Sequence, residues 1–457
     1  MFAFRRLGMI ECLWLLGIVV VAMAARVWYL NEWADGGRSA GPLQVQGTPP
    51  PADLKSILAH LAEDHWFGSR APLAADEEQT AHVSPGYPWL MAWVDKAPTN
   101  LGTLDRTMRW LHCLLGSLTA LLYALLARRA FGSMFVAVLT GLLCALHPFW
   151  VINTAEINDG VVVSFLLGAA LWLGARSIQD AGLVSSFFFG IALAGLGLTR
   201  AAYLIFAFVA LLWFIGRCRT VPRGWLCALL ATLGLVNALV PWTFRNFRIF
   251  GEVVPVVTSA PYHLWVGNNP KATGGPMDDS AVAASPPDTQ KNGKPDPDKA
   301  AGAQTQKARY DQLIEEVKTE VQDHPGETIR RRLLAMTYFW FGADWFKSGK
   351  GWETESMAGI ESKGMILGSA DALLNGALLF MTVVGLLGWR WTSRFSQQAM
   401  PTSLALFWIP VPYILGHAAA LVGPRLPLDG VLLCYCAFAL ACLLAPYRSG
   451  LLRSGSL

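Results

Sequence analysis

The chain has 457 residues, of which 54% are hydrophobic and only 15% charged, with a mean hydropathy of +0.39. That balance carries more apolar residues and less charge than a soluble domain, so an integral membrane protein is expected. The net charge of +4 is small, and the arginines gather on short loops between apolar runs, a pattern that sets orientation and argues against nucleic-acid binding.

A hydrocarbon core about 30 Å thick needs about 20 apolar residues of helix. The run Ile10 to Leu30 meets that length behind Arg5 and Arg6, which puts the N-terminus in the cytoplasm and reads as an uncleaved anchor rather than a signal peptide. Nine further runs follow: Met108 to Ala127, Phe131 to Trp150, Gly160 to Ala175, Leu183 to Leu198, Ala201 to Gly216, Gly224 to Trp242, Leu367 to Trp389, Ser403 to His417 and Gly430 to Ala445. As a single helix, Leu183 to Gly216 would reach about 51 Å and bury Arg200 midway, so a hairpin turning at Leu198-Thr199-Arg200 is predicted.

Counting alternately from a cytoplasmic start makes every inner segment basic: Arg128 and Arg129, then Arg176, then Arg217, Arg219 and Arg223, then Arg390 and Arg394, with Arg448 and Arg453 on the tail. Both termini are therefore expected in the cytoplasm. The chain divides into an anchor (1–30), a first extracytoplasmic loop (31–106), a transmembrane bundle (107–242), a large extracytoplasmic loop (243–366) and C-terminal spans (367–457). Arg200, the stretch His147 to Asp159 and a Pro424-Arg425-Leu426-Pro427 turn fall on the outer side as well.

In the first outer loop, Leu54, Ile57, Leu58 and Leu61 recur at three and four residues within Ala52 to Trp66, one apolar stripe of a helix lying along the membrane surface. Ser84-Pro85-Gly86-Tyr87-Pro88 then leads into an aromatic-rich interfacial helix, Trp89 to Trp93. In the second, residues 271–306 are dense in Pro, Asp, Lys and Ala and are expected to be disordered. Tyr310 to Gln322 reads as a charged helix, and Glu327 to Phe341 as one returning to the membrane. The fold class is all-α integral membrane, with about ten transmembrane helices and two large extracytoplasmic loops bearing interfacial helices.

The eight cysteines lie in apolar runs or short basic loops, so no disulfide framework is indicated, and Cys434 with Cys436 reads as packing. Seven of the eight histidines (His60, His65, His82, His147, His263, His324 and His417) fall outside, none at metal-ligand spacing. No metal site or cofactor is expected, and a divalent cation is the lesser alternative. There is no nucleotide fingerprint.

The stretch Pro241 to Pro270 carries Pro-Trp-x-x-Arg-Asn, then Phe-Gly, then Gly-Asn-Asn-Pro. In order and spacing this resembles the polyprenyl-phosphate-sugar-dependent glycosyltransferases, the membrane-embedded GT-C class that includes protein O-mannosyltransferases and lipid A aminoarabinose transferases. The resemblance extends over nearly the whole chain. It implies transfer of a sugar from a polyprenyl-phosphate donor to a protein, lipid or glycan acceptor by single displacement, on the outer face of the cytoplasmic membrane and among membrane lipids.

Such chemistry needs a carboxylate to take the acceptor's proton and cations to hold the leaving phosphate, for which the planar fork of arginine is suited. The resemblance places the catalytic acid in the first outer loop, at Asp53, with Asp35 as the alternative and a plain helix cap as the competing reading of Asp53. It places a second acid at Asp159, with Glu156 three residues earlier and able to share a cavity if the segment is helical. Arg200, Arg245 and Arg425 are the implied phosphate ligands, against the plainer reading of arginines snorkelling to headgroups. Where the aminoarabinose branch has a lysine this chain has Ser84, with His82 as the substitute, against the plainer reading of a surface histidine. His82, Tyr87, Tyr262, His263 and Asn268 complete the expected cavity. Two other readings are a catalytically inactive relative that binds a lipid-linked glycan, and a multi-span transporter, which the crowding of charge at the outer edge disfavours.

Overall fold

A computed structural model describes residues 8–34, 81–96, 103–274, 306–341, 376–390, 396–416 and 422–444, with a few more between 44 and 79 and at 346–347. Asp35, Asp53 and residues 275–305 lie outside the described residues, so the expectations placed on them concern the sequence alone.

Among the described residues, six helices are long and apolar enough to cross a membrane: Met9–Glu32, Leu104–Phe131, Gly160–Asp180, Ala201–Cys218, Gly224–Phe250 and Arg425–Leu444. Four shorter apolar helices accompany them, Met134–Ala145, Leu183–Thr199, Gly376–Arg390 and Pro401–Gly416. Each overlaps one of the ten predicted runs. The remaining ordered pairing is two antiparallel ladders of two residues each, Gln44–Val45 with Phe346–Lys347 and Gly68–Ser69 with Glu78–Gln79.

The predicted hairpin is present. Leu183–Thr199 ends at Arg200, whose backbone is extended, and a single 3-10 turn at Ala201–Tyr203 starts the return helix Leu204–Cys218. Leu183–Thr199 packs on Gly224–Phe250 where two glycines face the opposite backbone. A Cβ on Gly190 would lie 1.9 Å from the Ala231 carbonyl oxygen, and one on Gly234 would lie 2.2 Å from that of Phe187. Missing side chains let the two backbones approach, as small residues do between membrane helices.

Several boundaries differ from the sequence reading. The run Phe131 to Trp150 is two helices, Met134–Ala145 and Pro148–Asn153, because Pro148 has no amide to continue the first, and His147 caps the second through Nδ1 to the Trp150 amide at 3.4 Å. Pro410 likewise interrupts the apolar helix Pro401–Gly416 at Ile409, between the α segments Ser396–Trp408 and Pro410–Gly416. The expected Pro424–Pro427 turn is helical, inside Val422–Leu444.

The helix expected to end at Trp242 runs on to Phe250. The Pro-Trp-x-x-Arg-Asn motif therefore lies on a helix, where Trp242 and Asn246, four apart, share one face. Trp242 Nε1 donates to the Val256 carbonyl at 2.7 Å, and the Asn246 amide donates to those of Val254 and Val256 at 3.0 and 3.2 Å. With Thr243 donating to Pro255 O at 3.0 Å, this face latches the loop that follows.

The loop helices were legible. The interfacial helix is Gly86–Lys96, and the two in the large loop are Gln306–Asp323 and Pro325–Phe341. Tyr87, Met91 and Val94 bury the first against Met108 and Val162 of two spans. Of the predicted surface helix 52–66 only Leu58 and Leu61 are described, both helical and both packed on apolar clusters.

Gly190→Ala puts a methyl group into the Ala231 backbone, which cannot swing aside. We expect a loss of about 1–3 kcal/mol, read as a lower unfolding midpoint in detergent; an unchanged midpoint would contradict the close approach.

Candidate active site

One end of the bundle gathers most of the predicted polar residues. The segment Ala81–Pro85 is threaded between the Arg200 hairpin and the latched loop. Ser84 Oγ accepts from the Ala201 amide at 3.1 Å, the Thr258 amide donates to Ala81 O at 2.9 Å, and Ser259 Oγ donates to His82 O at 2.8 Å. Gly86 lies against the hairpin so closely that a Cβ would sit 2.9 Å from Thr199 Cα. The Ser-Pro-Gly-Tyr sequence is thus a contact surface for the residue preceding Arg200.

The turn carrying the two acids is not helical. Asn158 donates its amide to Asn153 Oδ1 at 2.9 Å and accepts from the Gly160 amide, also at 2.9 Å. These bonds set Asp159 at the start of the Gly160–Asp180 helix. Asp159 is paired with Arg200: the guanidinium Nε donates to Oδ2 at 2.8 Å, and a terminal nitrogen donates to Oδ1. The side chains are 11% exposed for Arg200 and 16% for Asp159, so each charge has exchanged most of its water for the other. Tyr203 and Tyr413 lie within electrostatic reach of the same guanidinium.

Glu156 is half-buried in the same turn. Burial pushes its carboxyl above the ordinary value of 4.5, with Arg109 pulling part of the way back. Tyr87 stands over His112, its hydroxyl 3.4 Å from Nε2 with the rings stacked. Burial, reinforced by Asp159 and Asp105, holds that hydroxyl protonated well above its usual pKa.

A second wall is aromatic. The His82 ring centroid is 6.1 Å from that of Tyr262 and 6.5 Å from that of His263, and Tyr262 and His263 are 5.6 Å apart. Burial, with the His263 ring nearby, lowers His82 to about 3, which favours its neutral form.

Three predicted residues take other partners. Asn268 is buried and donates its amide to the Leu264 and Leu415 carbonyls at 2.7 and 3.0 Å; beside it Arg332 donates to Ile414 O and Leu415 O, both at 2.7 Å, and to Gly267 O. Together they clamp the ends of Ala260–Asn268 and Pro410–Gly416, so Asn268 holds backbone rather than lining a cavity. Arg425 is 2% exposed and paired with Asp429, Nε to Oδ1 at 3.3 Å, while it also donates to Thr382 Oγ1 and Trp340 O. Its charge is balanced inside the bundle, where His147 Nε2 is 3.5 Å from Asp429. Arg245 lies over the Trp242 ring at 4.6 Å and donates to Asn246 Oδ1 at 3.0 Å, against the motif's own latch.

The sequence reading missed Arg109, His112 and Tyr413. Asp105, Arg109 and His112 stand four and three apart at the start of the Leu104–Phe131 helix, one polar stripe at the head of an apolar run and a readable signal. Tyr413 gave none, because a tyrosine near the end of an apolar run ordinarily marks the interface.

Residues 84–243 match the sequence model of the dolichyl-phosphate-mannose-protein mannosyltransferase family, a stretch that contains Ser84, Tyr87, Glu156, Asp159 and Arg200. No curated protein sequence matches the chain. Among solved structures, the chain is similar to the Archaeoglobus fulgidus oligosaccharyltransferase AglB in complex with an inhibitory peptide and a dolichol-phosphate, at 14% identity and a TM-score of 0.52, over 98% of this chain and 53% of that one. The same organism's oligosaccharyltransferase with zinc and sulfate matches at 15% identity and a TM-score of 0.52, over 94% of this chain and 50% of that one. Its apo form gives 12% and 0.53, over 95% and 51%.

The chain shares the fold of these oligosaccharyltransferases. It spans about half the length of the structures it matches, and at these identities the likeness is one of fold.

Two outcomes follow from the geometry. Asp159→Asn leaves Arg200 buried without its counter-charge and is expected to cost about 3–5 kcal/mol, whereas Asp159→Asn with Arg200→Gln recovers much of that loss; additive losses in a double-mutant cycle would refute the pairing. Because Glu156 has a folded-state pKa above its unfolded one, its ionised form costs stability above that raised value and nothing below the ordinary 4.5. Glu156→Gln should therefore raise the unfolding midpoint at neutral pH, with the difference vanishing in acid; a pH-independent difference would contradict it.

Proposed function

We propose that the chain is a membrane glycosyltransferase that moves a sugar from a polyprenyl-phosphate donor to a hydroxyl or amide acceptor on the side of the membrane where Arg200 lies, outside the cytoplasm. The observation that supports this most is the Asp159–Arg200 pair beside Glu156 and Tyr87. A buried guanidinium held in place by a carboxylate is a preorganised phosphate ligand. The dolichol-phosphate bound by the similar archaeal enzyme supports a lipid phosphate as the donor class.

In this reading the acceptor heteroatom attacks the anomeric carbon as the bond from that carbon to the phosphate oxygen breaks. The lipid phosphate leaves with the electron pair, and a carboxylate takes the acceptor's proton. A phosphate leaving group needs no proton, so one base suffices. Asp53 is our proposed base, with Asp35 the alternative. Glu156 positions the acceptor, and Asp159 fixes Arg200. Arg200 is the principal phosphate ligand; Arg245 and Arg425 support it by holding the latch and the bundle. His82, Tyr262 and His263 form an uncharged aromatic wall suited to a sugar ring.

The test is transfer from a radiolabelled polyprenyl-phosphate sugar by purified protein in lipid. Asp53→Asn is expected to lower kcat by at least about 100-fold, and Glu156→Gln to raise KM for the acceptor with a smaller change in kcat. Full activity in Asp53→Asn and Asp35→Asn together would remove the carboxylate assignment. Donor binding without transfer by the native chain would favour an inactive lipid-glycan-binding relative.

A further inference from the structure

The opposite end of the same helices carries a feature that transfer does not use. Between Gly160–Asp180 and Leu183–Thr199 runs an open groove of about 710 Å³. Phe165, Leu166, Ala169 and Leu173 form one wall and Phe188 and Ala192 part of the other, with Phe188 50% exposed. The groove starts partway along both helices and ends at Arg176, Asp180 and Gly182, away from Asp159 and Arg200.

Its length fits one leaflet. Phe165 and Arg176 are eleven residues apart, which at 1.5 Å each gives about 17 Å, and half of a hydrocarbon core is about 15 Å. Its mouth is cationic. Arg129 donates to both oxygens of Asp180, at 2.8 and 3.3 Å, so that carboxylate is already balanced. Arg176 is 3.8 Å from Asp180 and 48% exposed, and its guanidinium lies 5.3 Å over the Trp172 ring. It is thereby held at the mouth with its outer face open. The Leu183–Thr199 helix also begins there, at Gly182, with no side-chain cap, and adds partial positive charge of the same sign.

We propose that this groove is a binding site for an anionic phospholipid of the leaflet remote from the candidate active site, acyl chains along the Phe165–Phe188 walls and headgroup phosphate at Arg176. A polyprenyl phosphate is the less suited occupant, because the transfer site that would consume it lies at the other end of these helices.

Native mass spectrometry of the full chain from nanodiscs holding equal phosphatidylglycerol and phosphatidylethanolamine with matched chains tests this, with polyprenyl phosphate as a competitor. The native chain should retain phosphatidylglycerol preferentially. Arg176→Gln should lose about fivefold of that preference, one interfacial arginine's contribution, yet keep a bound lipid. Ala169→Phe should fill the groove and lower retention of both lipids, and unchanged unfolding midpoints would show that both variants are folded. No headgroup preference in the native chain, retention unchanged by both variants, or displacement of phosphatidylglycerol by polyprenyl phosphate at equal concentration would each overturn the proposal. Because transfer is not the readout, failure of the transfer assignment leaves this result standing, and the converse also holds.

Discussion

An arginine buried in an apolar bundle must be met by a counter-charge or by carbonyl oxygens, and the bond between Arg200 and Asp159 supplies the counter-charge at the point where two helical units meet. The hairpin puts Arg200 at a helix end instead of mid-membrane, and the asparagine-stitched turn puts Asp159 at the head of the next span. Around this pair the neighbouring contacts follow in order. Gly86 lies on Thr199, Ser84 takes the Ala201 amide, and the loop latched by Trp242 and Asn246 closes over Ala81 and His82. The site is a set of helix ends brought to one level, and the pair fixes that level.

The arginines show why charge in a membrane sequence has more than one meaning. Arg200, Arg245 and Arg425 are alike on hydropathy, each at the edge of an apolar run. In the structure Arg200 is aimed by a carboxylate that lies 16% exposed, Arg425 is enclosed with Asp429 in the bundle, and Arg245 stacks on the tryptophan of its own motif. What separates them is the partner contributed by a distant segment, which no local pattern encodes.

Much of the architecture could be read from the chain because the bilayer enforces it. The span lengths, the basic loops between them and the hairpin at Arg200 all follow from the cost of burying charge and the thickness of hydrocarbon. Boundaries were harder where a helix outlasts its apolar run: Gly224–Phe250 carries Arg245, Asn246 and Arg248 beyond the last predicted residue, with the buried Asn246 satisfied by the latch to 254–256 and Arg248 exposed. The site was half legible. Glu156, Asp159, Arg200, His82, Tyr262 and His263 were expected together, and the structure brings Asp159 to Arg200 and His82 to Tyr262 and His263. Asn268 looked like a ligand because it sits in a motif, yet its amide is spent on two helix-end carbonyls. Arg332, which shares that task, lay in a charged helix where one arginine among three could not be singled out.

The central claim is that the buried guanidinium of Arg200, aimed by Asp159, is what holds the phosphate of a lipid-linked sugar. The most direct measurement is the affinity of purified protein for a polyprenyl phosphate, comparing the native chain with the neutral, folded Arg200→Gln and Asp159→Asn double variant. Loss of a charge-assisted contact should weaken binding by about tenfold or more, with the unfolding midpoint close to native. Equal affinity in the double variant would place the phosphate elsewhere and contradict the account.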